Sequence, residues 1–416
     1  MVKEDAPPQP APPPLRRNRD FILLWSGQVV STVGSRASSV AFPLLVLALT
    51  GSPSKAGLVG FAQTLPFALL FLPAGAIVDR VDRKRLLLAA DGGRALAFAT
   101  LVVAIALDRV SLAHILLVAF LEGALFVFFR LAESAALPQV VPAEQLPTAV
   151  AQNQARDQGA MLAGAPVGGL LFGLDRLLPF LFDAVSYAVA FVTLLFVRPV
   201  LQEERPPRTT RFRDEIAEGV RWVWHEPLIK ALIVLIAGSN YAFNALFLVL
   251  IVRAAELGAS PALIGTMLAL AGAGALVGAV VAPTVQRRIA ERVVILGSLW
   301  LWTAGAFVLV LLPNALALGV AFGAIATTGP AFNVVTASYR YALVPDRLQG
   351  RVGSVILLVA WGTIPLGSIT AGFLLEAIGA VETMVVLACV MLAVTLAGTL
   401  MRTVREAPPV ADLQRS

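Results

Sequence analysis

Twelve times along this chain a run of apolar residues long enough to cross a bilayer is followed by a connection, most of them short, and that recurrence limits the fold more than any other feature. A spanning helix needs roughly 20 predominantly apolar residues. Such runs fall at about 21–49, 54–78, 85–107, 111–138, 147–174, 178–198, 227–252, 261–284, 291–312, 315–343, 350–376 and 380–402. They take up most of the 416 residues and leave no room for a large water-soluble domain. The composition agrees: 58 % of residues are hydrophobic and 14 % charged, against about a quarter charged in soluble domains. The expected class is an all-α membrane protein with twelve transmembrane helices.

The segments outside these runs set the domain plan. Residues 1–19 are Pro-rich and then basic (Arg16, Arg17, Arg19), with no apolar stretch leading to a small-residue cleavage site. They read as a disordered cytosolic tail rather than a secretory signal. Residues 20–198 form a first six-helix bundle, 199–226 a linker, 227–402 a second bundle and 403–416 a second tail, also read as disordered. The linker is Pro-rich at Arg205-Pro206-Pro207 and then sets Phe212, Ile216, Val220 and Trp224 against Arg213, Asp214 and Glu218. That pattern suits a helix lying on the membrane surface.

Charge gives the orientation. Of 32 Lys and Arg, Lys55, Arg109, Arg176 and Arg253 fall in loops on one side, and Arg36, Arg94 and Arg130 fall inside spans. The remaining 25 lie on the side of the termini. The positive-inside rule then places both termini in the cytosol. A net charge of +6 arising this way is topology and carries no nucleic-acid footprint. The bias of 28 Arg to 4 Lys points to a bacterial source, and so to the bacterial cell membrane. The one cysteine, Cys389, excludes an intrachain disulfide, and no metal cluster is expected.

The two bundles echo one another. Thr50-Gly51-Ser52-Pro53 with Gly57 precedes the second span, and Gly258-Ala259-Ser260-Pro261 with Gly265 precedes the eighth, at an offset of 208. Gly75 and Gly278 sit at the ends of those spans. Val141-Pro142 matches Val344-Pro345, and Pro166-Val167-Gly168 matches Pro365-Leu366-Gly367. Four matches in one order, six spans apart, describe a parallel repeat about an axis along the membrane normal, as in many transporters.

The most specific motif is Gly75-x-x-x-Asp79-Arg80-Val81-Asp82-Arg83-Lys84-Arg85, between spans 2 and 3. A glycine there lets helices approach closely. Asp79 can meet the positive N-terminus of another helix, and Arg80, Arg83 and Lys84 can pair with acids of the opposite half, holding a cytosolic gate in one state. The motif resembles the gating loop of the major facilitator superfamily, with Asp82 where that family has Gly and Ala282 in place of the acid in the second copy. Thr50-Gly51-Ser52, Pro179-Phe-Leu-Phe-Asp183-Ala-Val-Ser186-Tyr187 and Val344-Pro345-Asp346-Arg347-Leu348-Gln349-Gly350-Arg351-Val352 resemble the macrolide-efflux and enterobactin-exporter branch of its drug:proton antiporters. The likeness covers about residues 18–402. It implies the major facilitator fold and export of a hydrophobic or amphipathic small molecule driven by a proton gradient, with no other cofactor. Gly164, Pro166, Gly168 and Gly169 resemble the family's antiporter motif, and ordinary helix packing explains them equally well. The arginine that many antiporters carry in span 4 is replaced by Ala119, with Glu122 one turn on.

Ionisable groups inside spans are costly and are functional candidates. Arg36 is mid-span in the first helix, on a polar stripe with Gln28, Thr32 and Ser39. Glu122 is mid-span in the fourth. Arg36 and Glu122 are expected to share the central cavity, with Glu122 exchanging protons and Arg36 tuning it or holding an anionic group; a static ion pair is the competing account. Asp91 is a further proton candidate, three residues from Arg94 and able to pair with it. Arg130, Glu133, Arg156 and Asp157 read as a gating and structural layer, Asp183 as a cap or interface group near the outer end of span 6. The second half has no deep carboxylate; Asn240, Asn244, Tyr339 and Trp361 form either a neutral binding wall or interhelical bonds and interfacial anchors.

The leading expectation is a monomeric secondary transporter exporting a drug, antibiotic or other natural product by alternating access. The partners expected are that small molecule, protons and the bilayer. An uptake permease for a siderophore or other small solute stays open, as does, further off, a non-transporting sensor or lipid-handling protein. No Walker loop, His-Glu-x-x-His or Gly-x-Ser-x-Gly is present, so an enzyme is not expected.

Overall fold

A computed structural model describes residues 14–78, 80–198, 201 and 212–413. Among these the secondary structure is wholly helical. The first half runs α1 (Arg19–Thr50), α2 (Pro53–Val78), α3 (Arg83–Ala106), α4 (Leu112–Val140), α5 (Leu146–Leu174) and α6 (Leu178–Leu195). The short α7 (Phe212–His225) leads to α8 (Pro227–Glu256), α9 (Pro261–Arg288), α10 (Glu291–Leu311), α11 (Ala315–Ala326), α12 (Gly329–Leu343), α13 (Gln349–Ile378) and α14 (Ala380–Leu400). Two single-turn helices close the chain, α15 (Arg402–Arg405) and α16 (Val410–Leu413).

Local chemistry sets the helix ends. Asn18 accepts from Phe21 N to start α1, Ser111 from His114 N to start α4, and Ser260 from Leu263 N to start α9, each satisfying an orphan amide of the first turn. The repeat shows in the turns: α1 and α8 are both followed by a left-handed glycine, Gly51 at φ 64° and Gly258 at φ 78°, a conformation other residues avoid. Asp82 takes φ −54°, open to any residue, and accepts from Arg85 N as the cap of α3. Nothing at that position calls for glycine.

Eleven spans among the described residues are both long and apolar enough to cross a membrane. The twelfth, α5, has 29 residues, about 43 Å at 1.5 Å per residue. Its first half carries Gln152, Asn153, Gln154, Arg156, Asp157 and Gln158, and these lower its apolar character. The run 315–343, expected as one helix, is two. Pro330 lacks the amide that would continue α11, and the break at Thr327–Thr328 is held by Trp302 Nε1 donating to Thr328 Oγ1 at 2.7 Å.

The helices pack as two bundles. In the first, α1 packs on α5 and α6, and α3 on α4 and α6, around the ring cluster Phe42, Phe98, Phe180 and Tyr187. In the second, α10 packs on α14 and α9 on α11. The halves meet where α2 packs on α13 and α5 on α9.

Two segments outside the spans pack on the second bundle. Residues 403–413 are not a free tail. Val404, Ala407 and Val410 are buried, and Val410 N donates to Glu291 Oε1 at 3.3 Å. Apolar positions spaced through this segment dock it under the second bundle. The linker helix α7 rests on α13: Gly219 lies against the Arg351 backbone, and Glu218 pairs with Arg347 at 3.0 Å and with Arg351. Val220 and Trp224 remain exposed, as a membrane-surface face requires. The Pro-rich stretch at 205–207 and residues 1–13 lie outside the described residues.

Candidate functional site

The halves touch tightly at the end that carries the α1–α2 and α8–α9 turns. A Cβ on Gly57 of α2 would strike the Ser368 carbonyl and the Gly372 backbone of α13. A Cβ on Gly265 of α9 would strike the Ala165 carbonyl and the Pro166 backbone of α5. These two glycines match in the repeat, so the same close approach is made twice about the axis. Glu376, near the C-terminal end of α13, adds a polar contact: its Oε2 accepts from Ser52 Oγ at 2.5 Å and Ser54 N at 3.1 Å at the start of α2. That end is sealed. Toward the other end the halves part, and Gly159 on α5 and Gly75 on α2 have nothing within 4 Å of a Cβ position.

Between them lies a cavity of about 600 Å³. Arg36, Gln28 and Thr32 of α1 line it, with Glu122 of α4 and, across from them, Asn240 and Asn244 of α8 and Trp361 of α13. Arg36 reaches into the open space, and among the described residues it has no ion-pair or side-chain hydrogen-bond partner. Glu122 is 6 % exposed, and its Oε2 accepts from Gln63 Nε2 at 3.0 Å. Arg36 and Glu122 therefore share one cavity without forming a static pair. Aromatic rings from both halves join the wall: Phe67 meets Trp361 edge-on at 5.2 Å across the two halves and Phe126 at 5.6 Å within its own. Phe243, Phe247 and Phe322 cover the opposite side.

The polar side chains of the second half are tied in neutral bonds. Asn240 Nδ2 donates to Ala360 O at 2.9 Å, and Ser368 Oγ donates to Asn244 Oδ1 at 2.6 Å. Both asparagines face the cavity and also brace α8 to α13. Tyr339 is a correction. It is fully buried away from the cavity, and its hydroxyl donates to Pro408 O at 3.0 Å. The docked C-terminal segment captures it.

Charges nearer the open end are paired. Arg156 Nη1 lies 2.6 Å from Glu133, Arg130 Nη1 lies 3.0 Å from Asp157, and Arg156 also reaches Asp157 at 3.0 Å. Asp91 pairs with Arg94 at 2.6 Å and accepts from Gln28 Nε2 at 3.1 Å. It lies behind the cavity wall that Gln28 and Arg94 form.

A sequence model of the transmembrane secretion effector family matches residues 11–412. The chain belongs to this family of the major facilitator superfamily. It is 26 % identical over 398 residues to the multidrug efflux pump Tap of Mycolicibacterium fortuitum, covering 93 % of this chain and 96 % of that one. It is 29 % identical over 237 residues to macrolide efflux protein A of Streptococcus pyogenes, over 55 % of this chain and 57 % of that one. In fold it resembles a bacterial homologue of the human lysosomal transporter Spinster in an inward-facing, unoccupied conformation. The TM-score is 0.70 at 15 % identity, over 94 % of this chain and 99 % of that one.

In this major facilitator protein the loop between α2 and α3 keeps its described charges within its own half. Arg83 is 1 % exposed and donates to Ala135 O at 2.9 Å and Leu201 O at 3.0 Å. Lys84 Nζ donates to Val197 O at 2.6 Å and Leu195 O at 3.2 Å. Both hold the exit of α6 rather than an acid of the opposite half. Arg80 is exposed, and Asp79 lies outside the described residues. The close approach expected at Gly75 is not made, as the halves are apart at this end.

Gly164, Gly168 and Gly169 do sit at close approaches. Gly164 faces Arg36 and Gly168 faces Ala37 of α1, while Gly169 faces the Pro261 carbonyl and Gly265 of α9. Pro166 lies within α5 between them, its backbone against Gly265. Sequence reasoning missed the cavity phenylalanines. Phe243 and Phe247 follow the four-residue spacing of Asn240 and Asn244, and that spacing was the available signal.

Proposed function

We propose that this transporter exports hydrophobic or amphipathic small molecules in exchange for protons, with both termini in the cytosol and the cavity open to the cytosol. One observation carries the reading: the cavity is walled by rings from both halves and holds one carboxyl, Glu122, that among the described residues has no cation within ion-pair distance. Aromatic walls take varied apolar bodies, and a few polar groups fix orientation. A carboxyl that no cation neutralises can exchange its proton when a cation or water reaches it. A cationic amphipath entering from the cytosol displaces that proton. The halves then rock about the midplane, and a proton from outside reloads Glu122. Arg36 sets the field around it and disfavours a cation while Glu122 is neutral. The relatives named as multidrug and macrolide efflux pumps support export.

The test is accumulation of a panel of lipophilic dyes and macrolides in cells with and without the protein, then with an uncoupler. Lower accumulation that the uncoupler abolishes is the expected result. Unchanged accumulation across the panel, or lowering that persists with the uncoupler, would refute proton-driven efflux; raised accumulation would establish uptake.

A further inference from the structure

Asp183 does not cap α6; it lies inside the packing of α6 on α1, where Ser38 meets it. It is completely buried on a helix that packs against α1, α3 and α5, outside the cavity lining. Gly34 of α1 makes the room: a Cβ there would strike Asp183 Oδ1 and Ser186 Oγ. Ser38 Oγ lies 2.5 Å from Asp183 Oδ2 and Ser186 Oγ lies 3.2 Å from Oδ1. Among the described residues no cation is within ion-pair distance. The charged and titratable groups acting on it at longer range are Arg94 from α3, Glu122 from α4 and Tyr187 one turn along α6. The side chains that α1 presents are Ser38 and Ser35, and no titratable group of α5 acts on it.

The hydrogen count is informative. Ser38 Oγ also faces Ser35 O at 3.2 Å, and Ser186 Oγ also faces Asp183 O at 2.8 Å. Each hydroxyl has one proton to give. If Asp183 is ionised, both serines must turn to it and leave their carbonyls, and a bare charge still sits in apolar surroundings, which is costly. If Asp183 is protonated, it donates to Ser38 Oγ, Ser38 keeps its bond to Ser35 O, Ser186 keeps its bond to Asp183 O, and no bare charge is left in the apolar surroundings.

A polar track leads onward. Ser35 Oγ lies 2.7 Å from Tyr187 OH, Tyr187 meets Arg94 Nη1 at 3.5 Å, and Arg94 holds Asp91 at 2.6 Å. Ser35 and Gln28, at the two ends of that track, line the cavity. We propose that Asp183 is a second proton-binding site, set apart from the substrate cavity, with Ser38 as its hydrogen-bond partner and water entering at the wall beside Ser35 as its proton carrier. This rests on the proton-exchange reading; it adds a carrier that substrate does not touch. The proton leaves Asp183 for the cavity when that wall is hydrated and returns when it is dry, so one cycle moves a proton that never competes with cargo.

The experiment pairs infrared difference spectroscopy of the purified full-length protein with dye transport in everted vesicles. Wild type should show the carbonyl stretch of a buried carboxylic acid near neutral pH, shifted in heavy water and lost on alkaline titration. Asp183→Asn should lack that band. Ser38→Ala should move it, because the hydrogen-bond partner is gone. In vesicles Asp183→Asn, a neutral mimic that keeps the bonding pattern, should cut gradient-driven ethidium accumulation about tenfold. Gradient-free ethidium counterflow should change less than about twofold. A band that neither titrates nor exchanges, no difference between wild type and Asp183→Asn, or wild-type accumulation in Asp183→Asn would each overturn the site. Absence of gradient-driven uptake in wild type would instead sink the exchange reading, and the spectral titration would still decide Asp183.

Discussion

Helices matched by the repeat face the cavity with different chemistry. α1 presents Gln28, Thr32 and Arg36, whereas its counterpart α8 presents Asn240, Phe243, Asn244 and Phe247. α4 presents Glu122, Arg130 and Glu133, whereas α11 presents Phe322. Every buried charged side chain among the described residues (Arg83, Asp91, Arg94, Glu122, Glu133, Arg156 and Asp183) lies in the first half. The buried polar groups of the second are hydroxyls, such as Thr303 and Thr395, 2.7 Å apart. Rocking two halves about a site requires complementary surfaces, and it does not require both to carry charge. The difference separates a half that carries buried charge from one whose cavity face is neutral, with rings contributed by both.

Breaking that comparison starts with the charge layer. Arg156 and Glu133 have side chains 2 % and 4 % exposed. Removing Arg156 leaves buried Glu133 with only the half-exposed Arg130, at 3.7 Å, which puts the cost toward the low end of about 3–5 kcal/mol. Arg156→Leu should lower the detergent melting temperature sharply, and Arg156→Leu with Glu133→Leu should recover most of the loss. Thr395→Val in the second half should cost about 1 kcal/mol. Equal losses in the two halves would show that charge is not what distinguishes them.

Coupling comes next. Glu122→Gln should lower gradient-driven dye efflux by about a hundredfold, within the range for loss of a positioned proton-transfer group, while dye binding persists. Asn244→Ala should leave coupling intact. If Asn244→Ala uncouples and Glu122→Gln does not, the division between halves is wrong. A smaller effect belongs to the wall: Trp361→Ala removes the ring that packs between Phe67 and Phe71, at 5.2 and 5.8 Å. It should weaken dye affinity about tenfold with unchanged dependence on the gradient, read from titrations of dye fluorescence.

Span count, repeat and the pair Arg36–Glu122 were legible because hydropathy and isolated charges are local signals. The burial of Asp183 between α6 and α1 was hidden because distance along a helix does not report what packs beside it, and Gly34, which makes the space, is a sequence neighbour of nothing in α6. Tyr339 was misread for a related reason: its partner, Pro408, sits in a segment whose composition resembles a free tail. The anchoring of Arg83 and Lys84 was hidden because backbone carbonyls leave no mark in a sequence. The cavity phenylalanines were hidden because lipid-facing and cavity-facing rings look alike by composition.

The smallest effect concerns the sealed end, where the two crossings also differ. Both use glycine, yet the α2–α13 crossing adds Glu376, whose carboxylate meets the first turn of α2. No such group stands at the α5–α9 crossing among the described residues; Gly169 there meets only Pro261 and Gly265 backbone. A carboxylate near the C-terminal end of its own helix is unfavourably placed, and the N-terminus of another helix offsets this. The contact therefore favours the sealed state on one side of the axis. Glu376→Gln keeps the side chain's shape and removes its charge. With Cys389 replaced by Ser and spin labels at Lys55 and Glu382, the separated population at this end should rise about two- to threefold, the modest scale of an exposed charge at a helix terminus. Labels at Arg176 and Ala259, flanking the other crossing, should shift by the same factor if the halves move as rigid bodies, and not at all if α13 yields alone. No shift at either pair would leave glycine packing as the whole of the seal and make the two crossings equivalent after all.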